Sequence, residues 1–250
     1  SPQNNDIEFE IIESFSKHVK SYDKNAQLQK TMAERLAALL PKTLPERVLE
    51  VGCGTGIFTR HLLVRQVKHL ILNDIAPAML DHLKSHLPLP QNHKILTGNA
   101  EKIRFDPVDI VVANAVFQWF LRPVETLQHM GRSLRPGGRL LFSTFGPKTL
   151  EEFRATAQID SPITLYSFNQ WKSKIRSAGF KLIESDSETR KTFFPNSLAL
   201  LKSLQQVGAA PLRRTSSGSL RSLMRKYDEA FTTDQGVYAT WELYYFSAAI

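Results

Sequence analysis

The sequence predicts an α/β protein built on a doubly wound, seven-stranded, mostly parallel sheet, and three observations carry that prediction. Short apolar runs alternate with amphipathic stretches from residue 47 to residue 145. The run Val108–Ala113 is continuous and apolar, as a central parallel strand buried on both faces should be. Between the first strand and the helix after it lies Val48-Leu-Glu-Val-Gly-Cys-Gly-Thr-Gly56, with glycines at alternate positions 52, 54 and 56. Such a loop turns sharply and brings backbone N–H groups close to a ligand at a helix N-terminus.

Taken in order, residues 7–20 read as a first helix. A second follows Asp23, places Leu28, Met32, Leu36, Leu39 and Leu40 on one face, and stops at Pro41. Together, residues 1–45 are expected to form a helical lid over the glycine loop. The first strand is Arg47–Val51 and the next helix Ile57–Arg65. A second strand, His69–Asn73, ends at Asp74, and Pro77 then opens a helix at its first turn, where its missing N–H costs nothing. An acid at that strand end is placed to accept hydrogen bonds from both ribose hydroxyls of a nucleoside, although it could instead cap the helix near Pro77.

His93–Thr97 is a third strand, leading into Gly98-Asn-Ala-Glu-Lys-Ile103, and Val108–Ala113 a fourth, followed by Asn114-Ala-Val-Phe-Gln-Trp-Phe120. Pro123 starts a helix that Pro136-Gly137-Gly138 closes, and Arg139–Phe145 is the fifth strand. Ligands of such sheets bind at the carboxyl ends of the strands, where residues 52–56, 74, 99–101 and 114–120 gather. Further on, Ser167 and Gln170 make a capping box for a helix ending at Gly179, and Phe180–Ser185 is a sixth strand that can extend through Phe194. Residues 196–207 and 219–231 read as helices joined by Pro211–Gly218, and Tyr238–Ile250 as the last strand. The expected organisation is one domain over residues 1–250, with its core in 46–190 and 233–250 and a helical insertion at 190–232.

Composition narrows the chemistry. The chain has 250 residues and carries a net charge of +8. From Arg190 to Tyr227 it holds Arg190, Lys191, Lys202, Arg213, Arg214, Arg221, Arg225 and Lys226 and no acid, so this segment carries the whole excess. An acidic partner is implied. No apolar run approaches the length of a membrane span, and Ser1–Glu10 is too polar and acidic for a signal peptide. The single cysteine, Cys53, excludes an internal disulfide and a cysteine-built metal site, and points to a reducing cytoplasm.

The glycine spacing departs from a nicotinamide fingerprint, which would place its third glycine at position 57, where Ile57 stands. With Glu50 before it, and with Asp74, Gly98–Lys102 and the Pro136-Gly-Gly turn, it resembles motif I and its companions in the class I, Rossmann-like methyltransferases that use S-adenosylmethionine. More narrowly, Phe15…Tyr22-Asp23…Ala26…Leu28-Gln29, Ala113-Asn-Ala-Val-Phe-Gln-Trp119, Leu141-Phe-Ser-Thr-Phe-Gly146 and Leu204…Gly208-Ala209 resemble the malonyl-acyl carrier protein O-methyltransferases of biotin synthesis. That resemblance runs from about Phe15 to Tyr245 and is firmest over the first five strands.

The resemblance implies methyl transfer from S-adenosylmethionine, with S-adenosylhomocysteine as product and no metal, to the free carboxylate of a malonyl thioester. The implied partner is an acidic acyl carrier protein bearing malonyl-phosphopantetheine, with no nucleic acid or membrane and a monomeric enzyme. Gly52, Gly54 and Gly56 are expected against the amino acid and sugar of the cofactor, with Glu50 and Cys53 in the same motif. Asp74, followed by Ile75, is expected at the ribose. Asn99, Ala100 and Glu101 are expected beside the adenine, and Asn114 and Ala115 at the methionine end. Phe15, Tyr22, Phe117 and Trp119 are expected to wall the sulfonium, which aromatic faces favour electrostatically. Arg221 and Lys202 are expected to recognise the malonyl carboxylate, so Tyr22, Trp119, Arg221 and Lys202 form the candidate catalytic set.

Other readings fit less well. His82 and His86 have the spacing of a zinc pair, but Leu83 stands where a metalloprotease has Glu. An amino-methylating DNA enzyme carries Asn/Asp-Pro-Pro-Tyr after the fourth strand, where Asn114-Ala-Val-Phe stands, and a cytosine C5 enzyme needs a Pro-Cys nucleophile. Two alternatives stay open: methylation of another small carboxylic acid, and a non-catalytic methyltransferase-like assembly factor.

Overall fold

A computed structural model of the chain describes residues 27–158, 161, 163–206 and 217–250. The expected helix over 7–20, and with it Phe15 and Tyr22, lies outside the described residues. Helices α1 (Gln27–Ala37), α2 (Thr59–Val64), α3 (Pro77–His86) and α4 (Pro123–Ser133) are interleaved with strands β1 (Arg47–Val51), β2 (His69–Asp74), β3 (Asn92–Thr97), β4 (Val108–Asn114) and β5 (Leu134–Phe145), with β4 following β3 directly. The second half holds α5 (Glu151–Ala157), α6 (Phe168–Ser177), β6 (Lys181–Phe194), α7 (Ser197–Gln206), α8 (Ser217–Phe231), the two-residue β7 (Thr232–Thr233) and β8 (Gly236–Ala249).

The strand order is β3-β2-β1-β4-β5-β8-β6, with β7 pairing β8. The pairings β1–β2, β1–β4, β2–β3 and β4–β5 are parallel, and β8 runs antiparallel to both β5 and β6. This is the seven-stranded, mostly parallel sheet that the alternation of segments predicts. The order reverses between β1 and β4, which opens a crevice at their carboxyl ends.

Strand periodicity divides the core. Val48 faces one layer with Leu70, Leu72, Ile110, Val112 and Leu141, against α1, α2 and α3. Leu49 and Val51 face the other, with Val111, Ala113, Leu140 and Phe142, against α4 and α6. Residues Met32, Ala33 and Leu36 of α1 are wholly buried in the first layer, so this helix is part of the core. Its outer side is tethered to β6, where the Arg35 guanidinium pairs with Asp186 and with Glu188 (2.5 Å) and lies 4.7 Å above the Tyr245 ring.

Local sequence sets several boundaries. Pro77 and Pro123 occupy the first turns of α3 and α4. The Ser167–Gln170 capping box forms at α6, with Gln170 N–H donating to Ser167 Oγ (3.2 Å) and Ser167 N–H to Gln170 Oε1 (2.8 Å). Strand β6 runs on through Phe194, which places Arg190 and Lys191 on the sheet and the two helices α7 and α8 between β6 and β8. Those helices close over a satellite core of Phe153, Leu200, Leu201, Leu204, Tyr227, Val237 and Ala239.

The buried Glu152 carboxylate of α5 anchors that satellite to the sheet by accepting from the Thr240 N–H (3.0 Å) and the Thr240 hydroxyl. Removing it leaves a buried N–H unpaired, so Glu152→Ala is expected to lose about 1–3 kcal/mol of stability. Urea unfolding checks this, and an unchanged midpoint would remove the anchor from the account.

Candidate active site

The carboxyl ends of β1, β2, β3 and β4 surround a cavity of about 440 Å³, in the range of small-molecule sites. Its floor is the glycine loop. Gly52 has φ +67, and a Cβ there would sit 2.4 Å from Val116 Cγ2, so the loop needs glycine both for its backbone and for its closeness to the β4 loop. The Cys53 N–H donates to the Asn73 carbonyl (2.9 Å), pinning the loop to β2.

Asp74 closes the same corner. Its Oδ2 accepts from the Gly54 N–H (2.8 Å) and its Oδ1 from the Ala76 N–H (2.9 Å). Helix-turn capping and cavity lining are therefore compatible: an ionised carboxylate has about four acceptor positions, and the backbone donors leave it capacity for a ligand. Burial pushes the Asp74 carboxyl up, and the backbone donors of Ala76, Gly54 and Ile75 oppose that rise. Beside it, the Asn73 amide donates to the Leu96 and Gly98 carbonyls (3.0 Å each), tying β2 to the loop after β3.

That loop is itself engaged. Asn99 Oδ1 accepts from the Glu101 N–H (2.9 Å), and Glu101 Oε1 accepts from the Thr126 hydroxyl (2.9 Å) and the Arg122 N–H (3.3 Å). Glu101 thus holds the N-terminus of α4 in place as it lines the cavity.

On the opposite side, the two most distinctive segments of the sequence hold each other. The Ser143 hydroxyl donates to Asn114 Oδ1 (2.7 Å) and accepts from the Ala115 N–H (2.9 Å). Thr144 donates to Gln118 Oε1 (3.1 Å), whose amide donates to the Ala115 carbonyl (2.8 Å). This network fixes Ala115 at φ +55, a left-handed conformation that costs an alanine roughly 1–2 kcal/mol.

Of the residues singled out from the sequence, Gly52, Gly54, Asp74, Ile75, Asn99, Ala100, Glu101, Asn114, Ala115 and Trp119 all border the cavity. Glu50, Cys53, Gly56 and Phe117 do not line it. Phe117 is 1% exposed and stacks on Phe142 with centroids 4.1 Å apart, because the short helical turn Phe117–Trp119 points it into the core and leaves Trp119 at the rim. Lys202 and Arg221 are exposed on α7 and α8, away from the cavity lining. The sequence reading omitted the wall formed by Arg122, just before α4, and by Thr126, His129 and Arg132 on it. Its signal was the spacing of Arg122, Thr126, His129 and Arg132, which share one helix face.

Beneath the loop, Glu50 is 1% exposed and accepts a 2.6 Å hydrogen bond from the Thr59 hydroxyl. Burial raises its pKa to about 8, with Asp74 adding to the rise and Thr59 opposing it. Burial also pushes the Cys53 thiol well up, so it stays protonated and is no nucleophile. Among the described residues, no cluster of His, Cys, Asp and Glu could hold a metal ion, and no helix is long and apolar enough to cross a membrane.

The fold and the glycine-floored cavity are those of a methyltransferase, and a methyltransferase-domain family model matches residues 23–185. A solved S-adenosylmethionine-dependent methyltransferase from Mesorhizobium loti superposes with a TM-score of 0.56 at 14% identity, covering 87% of this chain and 96% of its own. Sequence relatives narrow the class. The chain is 34% identical to the malonyl-[acyl-carrier protein] O-methyltransferase of Paenibacillus sp. (strain JDR-2), over 89% of this chain and 91% of that protein. It is also 32% identical to the biotin biosynthesis bifunctional protein BioHC of Cellvibrio japonicus, over 94% of this chain and 49% of that longer protein. The chain belongs to the malonyl-[acyl-carrier protein] O-methyltransferase family.

The Glu50 shift has a consequence for stability. A carboxyl whose pKa is higher folded than unfolded binds more protons in the native state at intermediate pH, so its contribution falls as pH rises from its ordinary 4.5 to about 8. The ligand-free protein is expected to melt at progressively lower temperature across that window, and Glu50→Gln to lose most of the slope. Parallel curves for the two proteins would place the titration elsewhere.

Proposed function

We propose that the chain transfers the methyl group of S-adenosylmethionine to the free carboxylate of a malonyl thioester on an acyl carrier protein, giving the methyl ester primer of biotin synthesis. Identity of 34% along nearly the full length of a protein named for that activity carries the reading. The cavity supports it: a carboxylate and backbone donors at one corner, aromatic side chains at the rim, and a volume of about 440 Å³ suit a nucleoside joined to an amino acid.

When bound, S-adenosylmethionine supplies an electrophilic methyl group on a sulfonium. The chain's own residues then have to bind, orient and exclude water. In this reading Gly52 and Gly54 follow the sugar and amino acid, Asp74 with Ile75 takes the ribose, and Asn99, Ala100 and Glu101 flank the adenine. Asn114 and Ala115, held by Ser143, face the methionine end, and Trp119 offers its ring to the sulfonium. The accepting carboxylate is ionised at pH 7, so no general base is needed. The rate then rests on holding one carboxylate oxygen in line with the methyl group in a site closed to water.

The basic segment supplies the partner surface. Lys202 and Arg221 stand on exposed faces of the inserted helices, which suits the acidic surface of a carrier protein better than a carboxylate at the methyl group. The enzyme is read as a monomer without a metal, working in a reducing cytoplasm.

Two measurements test this. With labelled S-adenosylmethionine, label is expected on malonyl-acyl carrier protein, with little on malonyl-coenzyme A or succinyl-acyl carrier protein. Equal labelling of the malonyl and succinyl carriers would redirect the reading to other carboxylic acids. Lys202→Ala combined with Arg221→Ala is expected to raise KM for the malonyl carrier about tenfold, the scale of two exposed charge contacts, and to leave use of malonyl-coenzyme A unchanged. An equal loss on both acceptors would return these cations to the malonyl carboxylate.

A further inference from the structure

One directed chain of hydrogen bonds joins the cavity wall to helix α1. The Ala115 N–H donates to Ser143 Oγ (2.9 Å), the Ser143 hydroxyl to Asn114 Oδ1 (2.7 Å), and the Asn114 amide to the Gln29 backbone carbonyl (3.1 Å). A carbonyl only accepts, so Asn114 has to turn its NH2 to α1 and its oxygen to β5. That choice fixes the direction of the Ser143 hydroxyl in turn, and bonds aligned in this way polarise one another. The Asn114 side chain is the link that spans from the strand end to the helix.

Both ends of the chain have consequences. At the cavity end, Ala115 has φ +55, and Val116 stands so close to the glycine loop that a Cβ on Gly52 would meet its Cγ2 at 2.4 Å. Asn114, Ala115 and Val116 all border the cavity, so a ligand seated there bears directly on this end. At the other end, Gln29 belongs to the first turn of α1. The later turns are held by the burial of Met32, Ala33 and Leu36 and by the pairing of Arg35 with Asp186 and Glu188. The Asn114 amide reaches the turn before them, at the end of a helix where fraying begins.

We propose that Asn114 is a positioning residue that couples occupancy of the donor site to the seating of α1. A bound donor steadies Asn114 and Ala115, and the amide passes that constraint to the first turn of the helix. The inference rests on the reading that this cavity takes S-adenosylmethionine. Such coupling is reciprocal, so a seated α1 favours the donor-binding form of the wall to the same degree. It gives the amide a task beyond lining the cavity, and it makes the strained wall and the anchored helix one body.

Hydrogen exchange tests this without turnover, in the wild type, Asn114→Asp and Ser143→Ala, each free and saturated with S-adenosylhomocysteine. Asn114→Asp keeps an acceptor for Ser143 and loses the donor to Gln29, whereas Ser143→Ala cuts the chain on the cavity side. The readout is the slowing by ligand at the amides of Thr31, Met32 and Ala33, which close the first turn of α1, relative to α6. In the wild type that slowing is expected to be about tenfold, alongside slowing in the glycine loop. Both variants are expected to keep it in the loop and to lose most of it in α1. A purely structural role would speed exchange in α1 by the same factor with and without ligand. An unchanged ratio of that kind, or a wild-type helix indifferent to ligand, overturns the proposal. Loss of slowing in the loop as well would make these residues donor contacts and overturns it too. Wild-type protein that binds no S-adenosylhomocysteine would instead overturn the donor reading, and the proposal with it.

Discussion

The structure turns on one buried carboxylate. Asp74 gives one oxygen to the glycine loop through Gly54 and the other to the start of α3 through Ala76. Its neighbour Asn73 gives its amide to the loop after β3. Two consecutive residues at the end of β2 thus fix three of the segments that enclose the cavity. The arrangement is expensive for a charge, because burial raises the Asp74 pKa and, among the described residues, no Lys or Arg pairs with it. Its compensation is the set of backbone dipoles aimed at it, and ligand hydroxyls donating to it would add to that.

The other half of the cavity depends on a different constraint. Asn114, Ala115 and Gln118 follow β4, and Ser143 and Thr144 end β5; each segment supplies the hydrogen-bond partners the other lacks. The strained backbone at Ala115 persists because this network over-determines it. The two segments that most strongly suggest the family in the sequence are therefore one structural unit, and its product is a rigid wall of the cavity.

Much of this was legible beforehand, for identifiable reasons. Strands β1, β2 and β4 are apolar runs bounded by glycine, proline or acid, and local chemistry alone places them within a residue or so. Gly52, Asp74 and Asn114 could be assigned to one crevice because strand ends converge whatever the details of packing. The rest was written in tertiary contacts. Strand β6 is mostly exposed and polar, so the extension to Phe194 that the sequence left open is decided by its pairing with β8. Helix α5 is seven residues long and begins after a left-handed Leu150, leaving little periodicity to detect. Phe117 and Trp119 are two residues apart in similar company, and nothing local tells which ring faces the core.

The central claim is that the Asp74 corner organises a donor site for S-adenosylmethionine. Titration of S-adenosylhomocysteine into the wild type and Asp74→Ala, with melting curves to establish that both are folded, tests it most directly. The account predicts one ligand bound per wild-type chain and at least tenfold weaker binding by the folded variant, since a charge-assisted hydrogen bond and the loop geometry are lost together. Equal affinities in two folded proteins would contradict it.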